Sequence, residues 1–152
     1  MKGNVIMKRK MRPAEERYTF EEFLDIMKDL CAEDGCPWDR VQTHESLVPC
    51  LMDEAQEVVE AVEKQDVENL CEELGDVLLQ VVMHSEIARK NGTFTIADVV
   101  DGVSRKMIRR HPHIFGDVVA DTPEASLALW KEIKAQEKEE KRRKQMEKNG
   151  EK

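Results

Sequence analysis

Two stretches of the chain, LMDEAQEVVEA at residues 51–61 and CEELGDVLLQV at residues 71–81, decide the fold. In both, aliphatic residues recur at intervals of three and four, which is the pattern of a helix with one apolar face. Each stretch also carries two acids that are three residues apart. These pairs are Glu54 with Glu57 and Glu73 with Asp76. We therefore predict two long helices with acidic side chains beside their apolar faces.

The composition favours an all-α protein. The 152 residues suffice for one domain with its own core and are few for two domains. Charged residues make up 37% of the chain and aromatic residues only 5%, and strand-like runs of Val, Ile, Thr and Tyr are scarce. We expect an all-α bundle of four to five helices.

Charge, hydropathy and cysteine spacing restrict the function classes. A net charge of −8 argues against a general nucleic-acid-binding protein, which usually has a basic face. No apolar stretch reaches transmembrane length, and the basic start MKGNVIMKRKMRP lacks the apolar segment of a secretory signal. The four cysteines show no CxxC pair or zinc-finger spacing, so reduced thiols are expected. These features predict a cytoplasmic protein without nucleic-acid or membrane partners.

Helix-starting and helix-breaking residues divide the chain. The first helix begins with a capping box, T-x-x-E, at residues 19–22. Pro49 is expected to restart or bend the second helix, because proline removes a backbone donor. The predicted helices cover residues 19–33, 43–65, 66–90, 95–110 and a segment that starts at residue 122. We expect a flexible basic arm at residues 1–17, a domain at residues 18–138 and a charged tail at residues 139–152.

Helical geometry places the acids next to the core. Each residue advances about 100° around a helix, so Glu54 falls within the apolar stripe of its helix and Glu57 on the flank. Glu73 and Asp76 flank the apolar face of the next helix. Four such carboxylates would repel one another unless a divalent cation compensated them, and oxygen ligands completed by phosphates favour Mg²⁺ or Mn²⁺. Solvated acidic faces remain the alternative.

A basic cluster follows in KMIRRHPH. Lys106 and Arg110 are four residues apart on one helical face, and Arg109 is adjacent. Such cations can bind the oxygens of a polyphosphate, arginine in a fork geometry. The alternative is a solvated patch at a helix C-terminus, where cations are favoured in any case.

The two acidic motifs, DEAQE at residues 53–57 and EELGD at residues 72–76, resemble the E-E-x-x-E … E-x-x-D signature of MazG-type nucleoside triphosphate pyrophosphohydrolases. Other segments are similar to further parts of that family: CPWD at 36–39, QTHESL at 42–47, RRHPHIF at 109–115 and WKEIK at 130–134. The resemblance extends from about residue 19 to residue 138. It covers most of the chain, and its combined motifs are specific.

The resemblance implies an all-α MazG-like bundle completed by homodimerisation or a higher homo-oligomer. It implies hydrolysis of a nucleoside triphosphate to the monophosphate and pyrophosphate with Mg²⁺, for which Mn²⁺ is a possible substitute. By position, the metal ligands and catalytic acids would be Glu54, Glu57, Glu73 and Asp76. Asp53 stands where the signature has a glutamate and is a further catalytic candidate, as an outer ligand or a water-orienting base. The candidate substrate contacts are Lys106, Arg109, Arg110, Trp130 and Trp38.

Several alternatives stay open. Within the same superfamily, phosphoribosyl-ATP pyrophosphohydrolase and dimeric dUTP hydrolase are weighed, and the CPWD and RRHPH elements favour the MazG type over both. A different class is a non-catalytic helical dimer that binds a nucleotide or a partner protein. For Trp38, a packing role that anchors its loop is favoured over stacking on a base. Weaker candidates for ligand contact are Gln80, His44, His111 and His113, whereas His84 is expected to be packed or to lie at an interface.

Overall fold

The structure, a computed structural model, describes residues 11–150, so most of the predicted basic arm at residues 1–17 lies outside the described residues. All regular secondary structure in this range is helical, which confirms the all-α prediction. The helices are α1 (Phe20–Cys31), α2 (His44–Glu63), α3 (Val67–Lys90), α4 (Ile96–Arg110), the one-turn α5 (Pro112–Phe115) and α6 (Pro123–Gly150), with a short 3-10 helix at Asp39–Val41.

Side chains that bind free backbone N–H groups determine where the helices begin. Thr19 accepts a hydrogen bond from the backbone N–H of Glu22 at 3.2 Å, and the Glu22 carboxylate accepts one from the backbone of Thr19 at 2.9 Å. Thr43 and Ser46 form the same reciprocal pair at the start of α2. Asp66 caps α3. Because capping depends on neighbouring residues only, the predicted starts lie close to the observed ones.

Two details of the prediction are wrong. α2 continues through Pro49 without the expected restart. Proline has no backbone N–H, so the Glu45 carbonyl lacks its hydrogen-bond donor within the helix. Glu45 is an exposed residue of the first turn, so the loss of this hydrogen bond costs little stability. α4 ends at Arg110 as predicted, but the described residues form six α-helices instead of four to five, because the short α5 begins with Pro112 at a position where its missing N–H is harmless.

The described chain forms two compact units, one ending at Ile96 and one beginning at Ala97. In the first unit, α2 and α3 are joined by a short turn in which Gln65 adopts a left-handed conformation with φ of 56°. The short turn makes α2 and α3 antiparallel neighbours, and both α1 and α2 pack on α3. The buried core of this unit consists of Met27, Cys31, Leu47, Val82, Met83 and Ile87.

The second unit contains α4 beyond its first residue, α5 and α6. The first half of α6 carries the half-buried residues Leu129, Trp130 and Ile133. Its second half is held by exposed ion pairs within the helix, such as Arg142 with Glu139. None of the helices between residues 11 and 150 combines the length and apolar character needed to cross a membrane.

Candidate functional site

Three carboxylates from α2 and α3 meet at one place in the first unit. Glu54, Glu57 and Glu73 each offer a carboxylate oxygen, and these three oxygens lie within 4.8 Å of one another. Glu54 and Glu57 are one turn apart on α2, and the antiparallel turn brings Glu73 of α3 opposite them. Asp76, one turn further along α3, is half-buried and close enough to act on the charges of Glu54 and Glu73. We call Glu54, Glu57 and Glu73 the acidic cluster.

The members of the acidic cluster destabilise each other's charges. Burial raises the pKa of Glu54 above its ordinary value, and the negative charges of Asp76 and Glu57 raise it further. Burial likewise raises the pKa of Glu73, and Glu57 adds to the effect. Glu73 is only 8% exposed. The cluster therefore favours a bound proton or a bound cation over three bare charges.

The donor set of the acidic cluster fits a divalent cation. All three donors are carboxylate oxygens, which suit hard cations such as Mg²⁺ and Mn²⁺. Glu57 is exposed, so the cluster is open to solvent on that side. Asp53 is exposed and is not part of the cluster, although its negative charge contributes to the raised pKa of Glu54.

Trp38 lies in the loop between α1 and α2, and its side chain is 58% exposed. The prediction that packing of this indole anchors the loop is therefore wrong. Polar contacts hold the loop instead: the Trp38 carbonyl accepts a hydrogen bond from the Gln42 side chain at 2.9 Å. Gly35 allows a close turn after α1, since a Cβ atom there would lie 2.4 Å from the carbonyl oxygens of Asp29 and Leu30.

The predicted cations lie in the second unit. Arg110 places its guanidinium 5.1 Å from the ring centroid of Trp130, and Lys134 places its ammonium 4.9 Å from the same ring. Lys106 is half-buried one turn before Arg110 on α4. The structure thus brings Arg110 and Trp130 together, with Lys134 as an additional neighbour of the ring.

Glu137 is absent from the predicted site residues, yet it contacts both arginines. Its carboxylate accepts hydrogen bonds from Nε of Arg109 at 2.5 Å, from Nε of Arg110 at 3.0 Å and from Nη2 of Arg110 at 2.7 Å. The only signal in the sequence is the spacing of Trp130, Lys134 and Glu137. Intervals of four and three place these residues on one face of α6.

The α2–α3 interface carries more polar groups beyond Asp76. Gln80 is 6% exposed, and its Oε1 has no hydrogen-bond partner within the described chain. The Nδ1 atoms of His44 and His84 are 2.8 Å apart. This is shorter than the roughly 3.5 Å between stacked ring atoms, so the rings lie edge to edge and share a hydrogen bond. One ring must donate an N–H, and the other must keep a bare, unprotonated Nδ1.

The histidine pair predicts a pH dependence of stability. Burial and the neighbouring His44 lower the pKa of His84 below its ordinary value of 6.5. The pKa of such a histidine is lower in the folded protein than in the unfolded chain. The stability that it contributes is therefore fully present above the pKa of the unfolded chain, and it is lost as the pH falls through the pKa of the folded protein. We expect the melting temperature of the wild type to fall more than that of His84→Asn between about pH 7 and pH 5. Parallel melting curves for the two proteins over this range would contradict the prediction.

Comparisons with known proteins identify the family and the fold that this chain resembles. The family model described as the MazG nucleotide pyrophosphohydrolase domain matches residues 42–115. The crystal structure of a mazG-related protein from Thermotoga maritima matches with a TM-score of 0.64 at 30% identity, over 76% of this chain and 98% of that chain. The chain belongs to the MazG family. The matched MazG segment contains the acidic cluster, Lys106 and both arginines, whereas Trp38, Trp130 and Glu137 lie outside it.

Curated members of the MazG family are also similar to this chain. A nucleoside triphosphate pyrophosphohydrolase/pyrophosphatase MazG from Thermotoga maritima is 53% identical over 119 residues, which are 78% of this chain and 45% of that protein. A nucleoside triphosphate pyrophosphohydrolase from Escherichia coli K12 is 39% identical over 122 residues, which are 80% of this chain and 46% of that protein. The chain therefore spans less than half the length of these two relatives.

Proposed function

We propose that this MazG chain hydrolyses nucleoside triphosphates to nucleoside monophosphates and pyrophosphate with a bound Mg²⁺ ion. The observation that carries the proposal is the acidic cluster, whose three carboxylate oxygens lie within 4.8 Å of one another. Both curated relatives are named as nucleoside triphosphate pyrophosphohydrolases, and this supports the reaction class. A non-catalytic helical dimer that only binds a nucleotide or a partner is the alternative.

The acidic cluster would hold the cation, with Asp76 as a further ligand from α3. When bound, Mg²⁺ withdraws charge from the phosphates and makes a bound water more acidic. Mn²⁺ is also a hard cation and would fit the same oxygen donors. Asp53, an exposed carboxylate next to Glu54, is the candidate for orienting the attacking water toward the α-phosphorus.

The cations of the second unit would bind the phosphates. Lys106 and Arg110 would stabilise the negative charge that grows on the departing pyrophosphate. Arg109 would add further guanidinium donors. Trp130 is already in contact with Arg110 and Lys134, so its main role would be to support these cations. The exposed indole of Trp38 is then the better candidate for stacking on the base.

Exposed apolar residues support self-association. Leu74, Leu78 and Val81 follow one another at intervals of four and three on α3 and are exposed in the single chain, as are Val99 and Val103 on α4. Such stripes are typical of surfaces that a second protein covers. We propose a homodimer in which these stripes are buried, and we keep the cytoplasmic location as a prediction.

Dilution tests the homodimer. The activity per chain should fall on dilution together with the measured molecular mass of the particle. Constant activity in a dilute monomer would contradict the dimer.

A panel of ribo- and deoxynucleoside triphosphates tests the proposed reaction. Each would be incubated with and without Mg²⁺, and pyrophosphate and orthophosphate would be measured separately. We expect pyrophosphate and the monophosphate from at least one substrate, and only when Mg²⁺ is present. Orthophosphate with a nucleoside diphosphate would indicate a different reaction, and nucleotide binding without turnover would favour the non-catalytic alternative.

A further inference from the structure

Glu137 lies between two arginines within the second unit. The side chain of Arg110 is 14% exposed and that of Glu137 is 15% exposed, so solvent screens this ion pair less than a surface pair. Trp130 covers one face of the Arg110 guanidinium, and Glu137 binds its edge through Nε and Nη2. Arg110 is thus held both by a ring face and by a carboxylate.

The contact leaves donors and charge available for an anion. A guanidinium has five N–H donors. Glu137 uses the Nε and one Nη2 donor of Arg110 and only the Nε donor of Arg109. Two guanidinium groups share the single Glu137 carboxylate, and the Lys134 ammonium lies over the neighbouring Trp130 ring, so the group keeps a positive charge. Hydrogen bonding to Arg110 lowers the pKa of Glu137 to about 2, with burial opposing and Arg109 assisting, so the carboxylate stays charged at neutral pH.

An arginine that is already immobilised in the free protein loses less conformational entropy when its ligand binds. Arginine has a long side chain with many rotamers and loses much of this conformational freedom when it is immobilised. A carboxylate that fixes the guanidinium in the free protein removes part of this cost from the binding step. The neighbouring acids of α6 have no comparable role, because Glu139 and Glu140 form exposed pairs with Arg142 and Lys144 of the same helix.

We infer that Glu137 is a positioning residue that fixes the guanidinium groups of Arg109 and Arg110 in the arrangement that binds the phosphates of the substrate. This inference rests on the proposed function, since it takes the two arginines to be phosphate ligands. Glu137 itself does not touch the substrate. Its carboxylate acts through the guanidinium groups that it binds.

The test combines Glu137→Gln with a double-mutant cycle. Glutamine keeps the size of the side chain but offers one neutral acceptor where the carboxylate offers two charged oxygens. We expect kcat/KM for pyrophosphate release to fall about tenfold or more, mainly through KM, and Glu137→Asp to restore part of it. In a background in which both Arg109 and Arg110 are replaced by alanine, the same change should have little further effect. Glu139→Gln, the matched control, should leave kcat/KM unchanged.

Opposite outcomes would overturn the inference. An unchanged or increased kcat/KM in Glu137→Gln would mean that the carboxylate is idle or competes with the phosphates. A loss that is equally large in the background without both arginines would mean a structural role that does not act through Arg109 and Arg110. Calorimetric binding of inorganic pyrophosphate separates this inference from the proposed function, because it needs no turnover. If the wild type hydrolysed no nucleotide, weaker pyrophosphate binding by Glu137→Gln would still support the positioning role, and equal or tighter binding would overturn it.

Discussion

Glu73→Gln is expected to lower Mg²⁺-dependent pyrophosphate release by about 100-fold or more, because loss of even an outer partner of a metal site costs about 10–100-fold. Glu73 is the only member of the acidic cluster from α3, and it faces both glutamates of α2. Glutamine retains the size of the side chain but offers a neutral oxygen, which binds a hard cation more weakly than a carboxylate does. The initial rate of pyrophosphate release, measured over a range of Mg²⁺ concentrations, checks this expectation.

The same variant should keep its fold, because the charge of Glu73 is unfavourable in the metal-free protein. Burial and Glu57 raise the pKa of this carboxyl, so removing the charge relieves repulsion. We expect Glu73→Gln to melt at or above the wild-type temperature without metal. Mg²⁺ should raise the melting temperature of the wild type more than that of the variant. Glu72→Gln, at the exposed neighbouring position, is the control and should retain activity. Full activity in Glu73→Gln would refute the metal site.

Leu47→Ala is expected to lower the free energy of unfolding by about 2–5 kcal/mol. Leu47 is 1% exposed and belongs to the core cluster in which α1, α2 and α3 meet. Truncation removes buried apolar surface and leaves a cavity that the neighbours Val82 and Met83 can fill only in part. Urea unfolding followed by circular dichroism measures the change.

Val48→Ala provides the matched control, because Val48 is the next residue on the same helix and is 54% exposed. Its loss should change the free energy of unfolding by no more than about 0.5 kcal/mol, as surface substitutions usually do. Similar losses in Leu47→Ala and Val48→Ala would mean that the core does not lie where the structure places it.

Local rules account for the features that the sequence predicts well. Thr19, Thr43 and Asp66 cap their helices through contacts with residues three positions away, so the motif is visible without knowledge of the fold. The periodic aliphatic residues of α2 and α3 likewise place Glu54 and Glu73 beside the apolar faces. Only a short turn between the helices is then needed to bring these acids together, and that turn is also readable from the sequence.

Contacts between distant residues account for what the sequence does not reveal. Glu137 is one of many acids in a stretch of alternating charges. What separates it from Glu139 is its contact with Arg109 and Arg110, which lie 28 and 27 residues earlier. The hydrogen bond of His44 and His84 spans 40 residues. The exposure of Trp38 follows from the polar contacts and the close turn of its loop, which composition does not show.

Hydrolysis in oxygen-18 water tests the central claim most directly. A nucleoside triphosphate that is a substrate of the wild type would be hydrolysed in the presence of Mg²⁺, and the masses of the products would be measured by mass spectrometry. Attack of water at the α-phosphorus predicts one oxygen-18 atom in the nucleoside monophosphate and none in the pyrophosphate. Label in pyrophosphate or orthophosphate, or the same turnover by Glu73→Gln, would contradict the assignment of this reaction to the acidic cluster.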